Sequence, residues 1–118
     1  MLLHGKALFD TGAPAFRDAD LIILLEDTSL ADAPATLVAR TVLRNTHWSG
    51  DPHETLPFTL DIPATAKHGC RYELRAHLDR LQTGQVSRGD FITTQSHPID
   101  LAALPAQADV ILRLHWLK

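Results

Sequence analysis

Apolar and polar residues alternate along most of this chain, and the alternation has a period of two. In RYELRAHLD, Tyr72, Leu74, Ala76 and Leu78 point one way, while Arg71, Glu73, Arg75, His77 and Asp79 point the other. This is the pattern of a half-buried strand with one wet face. DVILRLHWL repeats it, with Val110, Leu112, Leu114 and Trp116 inward and Arg113 and His115 outward. TLPFTLDI places Leu56, Phe58, Leu60 and Ile62 on one face, and Pro57, which cannot donate to a ladder, predicts an edge strand. LIILL is apolar on both faces and predicts a central, covered strand. TLVARTVL, HGKALF and FITTQS complete a set of about seven strands.

Turn residues punctuate these runs: Thr11-Gly12-Ala13-Pro14, Asp32-Ala33-Pro34, Ser49-Gly50-Asp51-Pro52, His68-Gly69, Thr83-Gly84 and Arg88-Gly89-Asp90. Such spacing predicts an all-β fold, a sandwich or small barrel. We expect a single-domain β-sandwich over residues 1–118, with about seven or eight short, mostly antiparallel strands. Helix is scarce, with at most one turn in LAALPAQAD before Pro105 breaks it.

Composition narrows the function classes. Apolar residues make up 45% and charged residues 21% of the 118, as in a folded globular protein. Net charge is −3, so no basic field points to nucleic acid or to anionic lipid. One cysteine, Cys70, allows neither an intramolecular disulfide nor a cysteine-based zinc cluster. No run approaches the roughly 18 apolar residues of a membrane-spanning helix. The segment after Met1 has no apolar signal core, because His4, Gly5 and Lys6 follow at once. The chain as written therefore reads as cytosolic, or as one whose export segment has been removed.

LIILLEDTSLADAPATLVARTVL, followed by LPFTLDI, YELRAHLD and SHPIDL, resembles one family of small lipoproteins. They are the type III secretion lipoprotein chaperones, or secretin pilotins, together with the YbaY-type envelope lipoproteins. DTSLADAP, residues 27–34, is the specific part of the resemblance, and the rest is general β-pattern. The resemblance implies a compact β-sandwich, lipid-anchored in the periplasm or at the outer membrane, with a protein or peptide partner in the cell envelope. In pilotins that partner is a secretin subunit, held and delivered to the outer membrane. The family's lipid-attachment cysteine has no counterpart near the start, and Cys70 lies mid-chain. The resemblance implies no catalytic residues and no cofactor.

Four groups of residues are of types suited to chemistry. Glu26, Asp27 and Asp32 cluster at the end of the apolar run, but a calcium loop has acids at alternate positions and a central glycine, both missing here. Turn chemistry is the stronger reading: Asp27, Ser29 and Asp32 bond nearby amides, Leu30 folds back as an apolar plug, and Pro34 stiffens the exit. In HWSGDPHE, His47, His53 and Asp51, with Glu54 nearby, are the candidate metal ligands. Their spacing matches no zinc signature, and solvated loop residues are the simpler reading. His77 and His115 face outward and meet only if their strands pair. Ser29, Ser49, Ser87 and Ser96 lack the elbow of a serine hydrolase, and Ser96 and His97, adjacent in sequence, face opposite sides of a strand.

Arg88-Gly89-Asp90 reads as a hairpin turn, Trp116 as core, and Trp48 as a loop-edge residue able to face a partner. These readings favour a non-enzymatic binding or chaperone-like envelope module that accepts a peptide by strand addition or in a groove. Two alternatives stay open: a metal-dependent or carbohydrate-related enzyme using the His and acid loops, and a self-associating structural domain pairing through an edge such as FITTQS. The residues name no ligand and no oligomeric state.

Overall fold

The computed structural model describes residues 1–30, 32–67, 69–106 and 109–118. His68 of the expected His68-Gly69 turn, Ala31 of the DTSLADAP segment, and Gln107 and Ala108 of LAALPAQAD lie outside the described residues. Eight strands form in chain order: β1 Leu2–Phe9, β2 Phe16–Asp27, β3 Thr36–Trp48, β4 Leu56–Asp61, β5 Tyr72–Asp79, β6 Phe91–Ile92, β7 Pro98–Ile99 and β8 Val110–Trp116. A 3-10 turn, Leu101–Ala106, precedes β8 and continues through Pro105.

The strands join one sheet in the order β3-β2-β5-β6-β8-β1-β4, with β7 on the side of β5. All pairings are antiparallel except β1 with β8. The two packed faces of the expected sandwich are thus continuous: one sheet curls until its end strands, β3 and β4, approach each other. No ladder joins these two ends among the described residues, so the near-barrel has a seam. Pro57 sits on β4, an edge strand that pairs only with β1, where its missing N–H costs no ladder bond.

Period-two alternation decides which side chains fill the interior. On β5, Tyr72, Leu74, Ala76 and Leu78 are buried, and on β8 Val110, Leu112 and Leu114 are buried. At one end of the barrel Phe9, Phe16, Trp48 and Phe91 pack as a cluster, with Phe9 within 5.2 Å of the other three ring centres. The edge-on contacts suit aromatic quadrupoles and add to the burial of large apolar surface. Gly5 stands opposite Phe58 on β4, and a Cβ there would lie 2.3 Å from Phe58 Cζ. The absence of a side chain at Gly5 is what admits the Phe58 ring to the core.

β2 departs from the expected strand in an informative way. Its inward residues Leu21, Ile23 and Leu25 are fully buried, but Ile22 and Leu24, on the outer face, remain half-buried. β2 lies inside its sheet, as its apolar character predicts, and among the described residues its outer face is covered in part by the loop that carries Gly84 and Val86 and by no second sheet. FITTQS contributes only two strand residues, Phe91 and Ile92. Both β2 and β3 exceed ten residues and are bent by register shifts near Ala19 and Leu25, with Asp18 and Asn45 at positive φ.

Candidate functional site

The acids that close β2 belong to a turn. Ser29 N donates to Asp27 Oδ1 at 2.9 Å, and hydrogen bonds from Ser29 hold the Asp27 carboxyl below its usual range. Arg71 N donates to Ser29 Oγ at 2.8 Å, and Thr28 N donates to Arg71 O at 2.8 Å, so the turn is stitched to the start of β5. Leu30 does not fold back as a plug: hydrogen bonds tie Thr28 and Ser29 to Arg71 and leave Leu30 73% exposed. Asp32 and Pro34 are exposed.

His47, His53 and Asp51 are not brought together as ligands. Asp51 Oδ1 instead accepts from His53 N at 2.9 Å, while His47 Nδ1 accepts from Asp18 N at 3.3 Å. The loop they occupy closes over Trp48, whose indole N–H donates to the carbonyls of Asp51 and Glu54. Trp48 is therefore no partner-facing residue: it is 1% exposed and belongs to the aromatic cluster. Its position at the strand end suggests exposure, but the loop after it folds back as a cap. Trp116 is the less buried of the two tryptophans. Its indole nitrogen has no partner among the described residues, and Lys118 Nζ stands 5.7 Å from its ring centre.

His77 and His115 do not meet, because β6 runs between their strands and Ile92 stands opposite both. His115 Nδ1 lies 3.1 Å from Asp10, and His77 Nε2 lies 2.8 Å from Asp90. Ser96 Oγ donates to Glu73 at 2.7 Å. Gly89 has φ +95°, as the turn reading requires, and Asp90 is fully buried, so the Arg-Gly-Asp tripeptide is not displayed as a unit.

Sequence reasoning missed three buried carboxylates on the outer face of the sheet: Asp20, Asp79 and Asp90, each no more than 3% exposed. They hold down the loop from Arg80 to Gly89. Asp79 accepts from Thr83 N and Gly84 N, at 3.2 and 2.6 Å. Asp90 accepts from Arg80 N at 3.0 Å, from Ser87 N at 3.1 Å and from His77. Asp20 accepts from Gln82 Nε2 at 3.0 Å, Asn45 N at 3.2 Å and Arg44 at 2.8 Å. The Gln82 bond is the largest influence lowering the Asp20 pKa, with Asn45 and Arg44 adding to it and burial opposing them. The visible signal is positional for two of them: Asp79 and Asp90 adjoin strand ends, and Gly84 and Gly89 mark the loop between them, whereas Asp20 lies within β2.

One ligand atom each from His77, Asp79 and Asp90 lie within 4.8 Å of one another, the spacing of a cation site. Their chemistry fits a loop anchor better. Amide hydrogens converge on both carboxylates, and the His77 nitrogen nearest Asp90 is already bonded to it. A cation would have to displace these donors.

Two of the surface clefts border the open seam and the apolar outer face of the sheet. One, of about 340 Å³, follows the seam and is lined by Thr41 and Leu43 of β3 and by Pro57, Phe58 and Thr59 of β4. The other, of about 300 Å³, lies on the outer face over Ile22, Leu24 and Ile92, between Val86 of the anchored loop and the side chains of Arg40 and Arg75. Both are partly apolar, and neither gathers a nucleophile, a base and an oxyanion donor.

No family model and no curated protein matches the chain. Among solved structures it is similar to an alternative pilotin from the type II secretion system of Vibrio cholerae. The match has a TM-score of 0.69 and 26% identity, and covers 98% of this chain and 95% of the other. The chain thus has a pilotin-like fold across nearly its whole length.

Proposed function

We propose that this protein is a non-enzymatic, chaperone-like binding module of the cell envelope that works as a pilotin, holding a segment of a secretin subunit. The observation that carries the reading is the full-length likeness to a pilotin at 26% identity. The DTSLADAP resemblance supports it from the residues, and the open seam between β3 and β4 offers a cleft of suitable size. A YbaY-type lipoprotein role is the finer alternative within the same reading, and differs in having no secretin partner.

The test is a titration of the isotope-labelled protein with secretin C-terminal peptides, followed by NMR. Saturable shifts at Thr41, Leu43 and Phe58 are expected. A spectrum unchanged by secretin peptides, together with recovery of other envelope proteins in a pull-down, would remove the pilotin assignment and favour the YbaY-type role.

A further inference from the structure

The two edges of the sheet are unequal. β4 is six residues long and carries Pro57, whereas β3 is thirteen residues long and, among the described residues, pairs with β2 alone. Natural sheets blunt long edges because unpaired N–H and C=O groups recruit another strand. The far half of β3 is partly shielded where Thr41 and Leu43 line the seam. Its first half has no such neighbour among the described residues. Thr36, Leu37 and Arg40 are exposed and Val38 and Ala39 half-exposed, a stretch of about the ordinary strand length.

The charge along this edge is one-sided. From Thr36 to Trp48 the chain carries Arg40, Arg44 and His47 and no acid, in a protein of net charge −3. Arg44 is paired with Asp20. Arg40 has no carboxylate within ion-pair distance among the described residues. Beside it Leu37 is 53% exposed, and the outer-face cleft continues the apolar surface over Leu24 and Ile22.

We propose that Thr36–Arg40 of β3 is a strand-addition site for an extended partner segment in which acidic and apolar residues alternate. The partner's backbone completes the ladder that β3 lacks. An acid on its outer face lies against Arg40, and the apolar residues on its other face lie beside Ala39, which pairs with the inward Leu25. Charge selects this occupant over a second copy of the chain. Two β3 strands offer each other no acid in any register: antiparallel pairing centred on Val38 sets Arg40 against Thr36, centred on Val42 against Arg44, and centred on Arg40 against itself. The site is separate from the seam and does not depend on a secretin being the partner.

The experiment is hydrogen exchange of the backbone amides with two synthetic nine-residue peptides, one alternating valine or threonine with glutamate, the other with lysine replacing glutamate. The glutamate peptide is expected to protect the amides of residues 36–40, and the lysine peptide to leave them unprotected. Arg40→Glu is expected to weaken the glutamate peptide roughly tenfold and to reverse the preference. Equal protection by both peptides overturns the proposal, as does protection confined to β4. Protection of residues 36–40 that grows with protein concentration without peptide assigns the edge to a second copy and overturns it too.

Discussion

His77 Nε2 stands 2.8 Å from an Asp90 oxygen that no solvent reaches, and the same oxygen accepts from Ser87 N. A carboxylate accepts only, so Nε2 is the protonated nitrogen of His77 and its tautomer is set by the loop anchor. Asp90→Asn would present an NH2 group or a weaker acceptor to three donors. It is expected to cost about 2–3 kcal/mol, since hydrogen bonds to charged groups are the strong ones and the group is buried. Urea unfolding checks the magnitude, and hydrogen exchange of Arg80 and Ser87 amides should accelerate first.

Asp20 makes stability depend on pH in a definite direction. Its folded pKa lies below the unfolded value, chiefly because Gln82 donates to it. A depressed carboxylate pKa contributes stability that is fully present above the unfolded value, about 3.9, and is lost as pH falls through the folded value. Asp20→Asn should therefore flatten the acid limb of the stability curve. Gln82→Ala should raise the Asp20 pKa, read by NMR titration of its carboxyl carbon.

His97 responds with the same sign. Burial lowers its pKa, so the folded protein favours the neutral ring. Stability tied to it is present above the unfolded value of about 6.5 and declines as pH falls through the folded one. In an NMR titration, His97 should protonate below the ordinary histidine value of about 6.5.

Gly5→Ala tests the close approach of Phe58. The added Cβ meets the ring at 2.3 Å and is expected to cost about 1–3 kcal/mol, as overpacking does. Combining it with Phe58→Leu should cost less than the sum of the two single changes, because they share one contact. Thermal melts of the three variants provide the cycle.

Trp48→Ala removes the ring that bridges Phe9, Phe16 and Phe91 and also frees two loop carbonyls. A loss of about 3–5 kcal/mol is expected for an aromatic deleted from a core. Calorimetry measures it.

The strands were legible because one-sided burial writes itself into sequence with period two, as in Tyr72-Leu74-Ala76-Leu78. Pro57 correctly marked an edge, since a missing donor is a local property. What escaped depends on contacts distant in sequence. Trp48 has the sequence context of an exposed loop residue, and only the backward fold of residues 49–54 buries it. Asp20, Asp79 and Asp90 resemble solvated acids until the 80–89 loop descends on them. Period alone also cannot tell whether an outer apolar face is covered by its own chain, which is why Ile22 and Leu24 suggested a second layer.

The parallel ladder between β1 and β8, from Gly5↔Val110 to Phe9↔Leu114, has a kinetic consequence. β1 has no sequence-adjacent strand beside it: its neighbours are β4 and β8, dozens of residues away. Loop closure must be met before these contacts repay it, so local hairpins such as β2–β3 form early and the barrel waits for its last strand. Folding is expected in the millisecond-to-second range of non-local β proteins. Until β8 arrives, both flanks of its slot, β6 and β1, are open edges, and that interval is when a newly made chain is most exposed to mispairing.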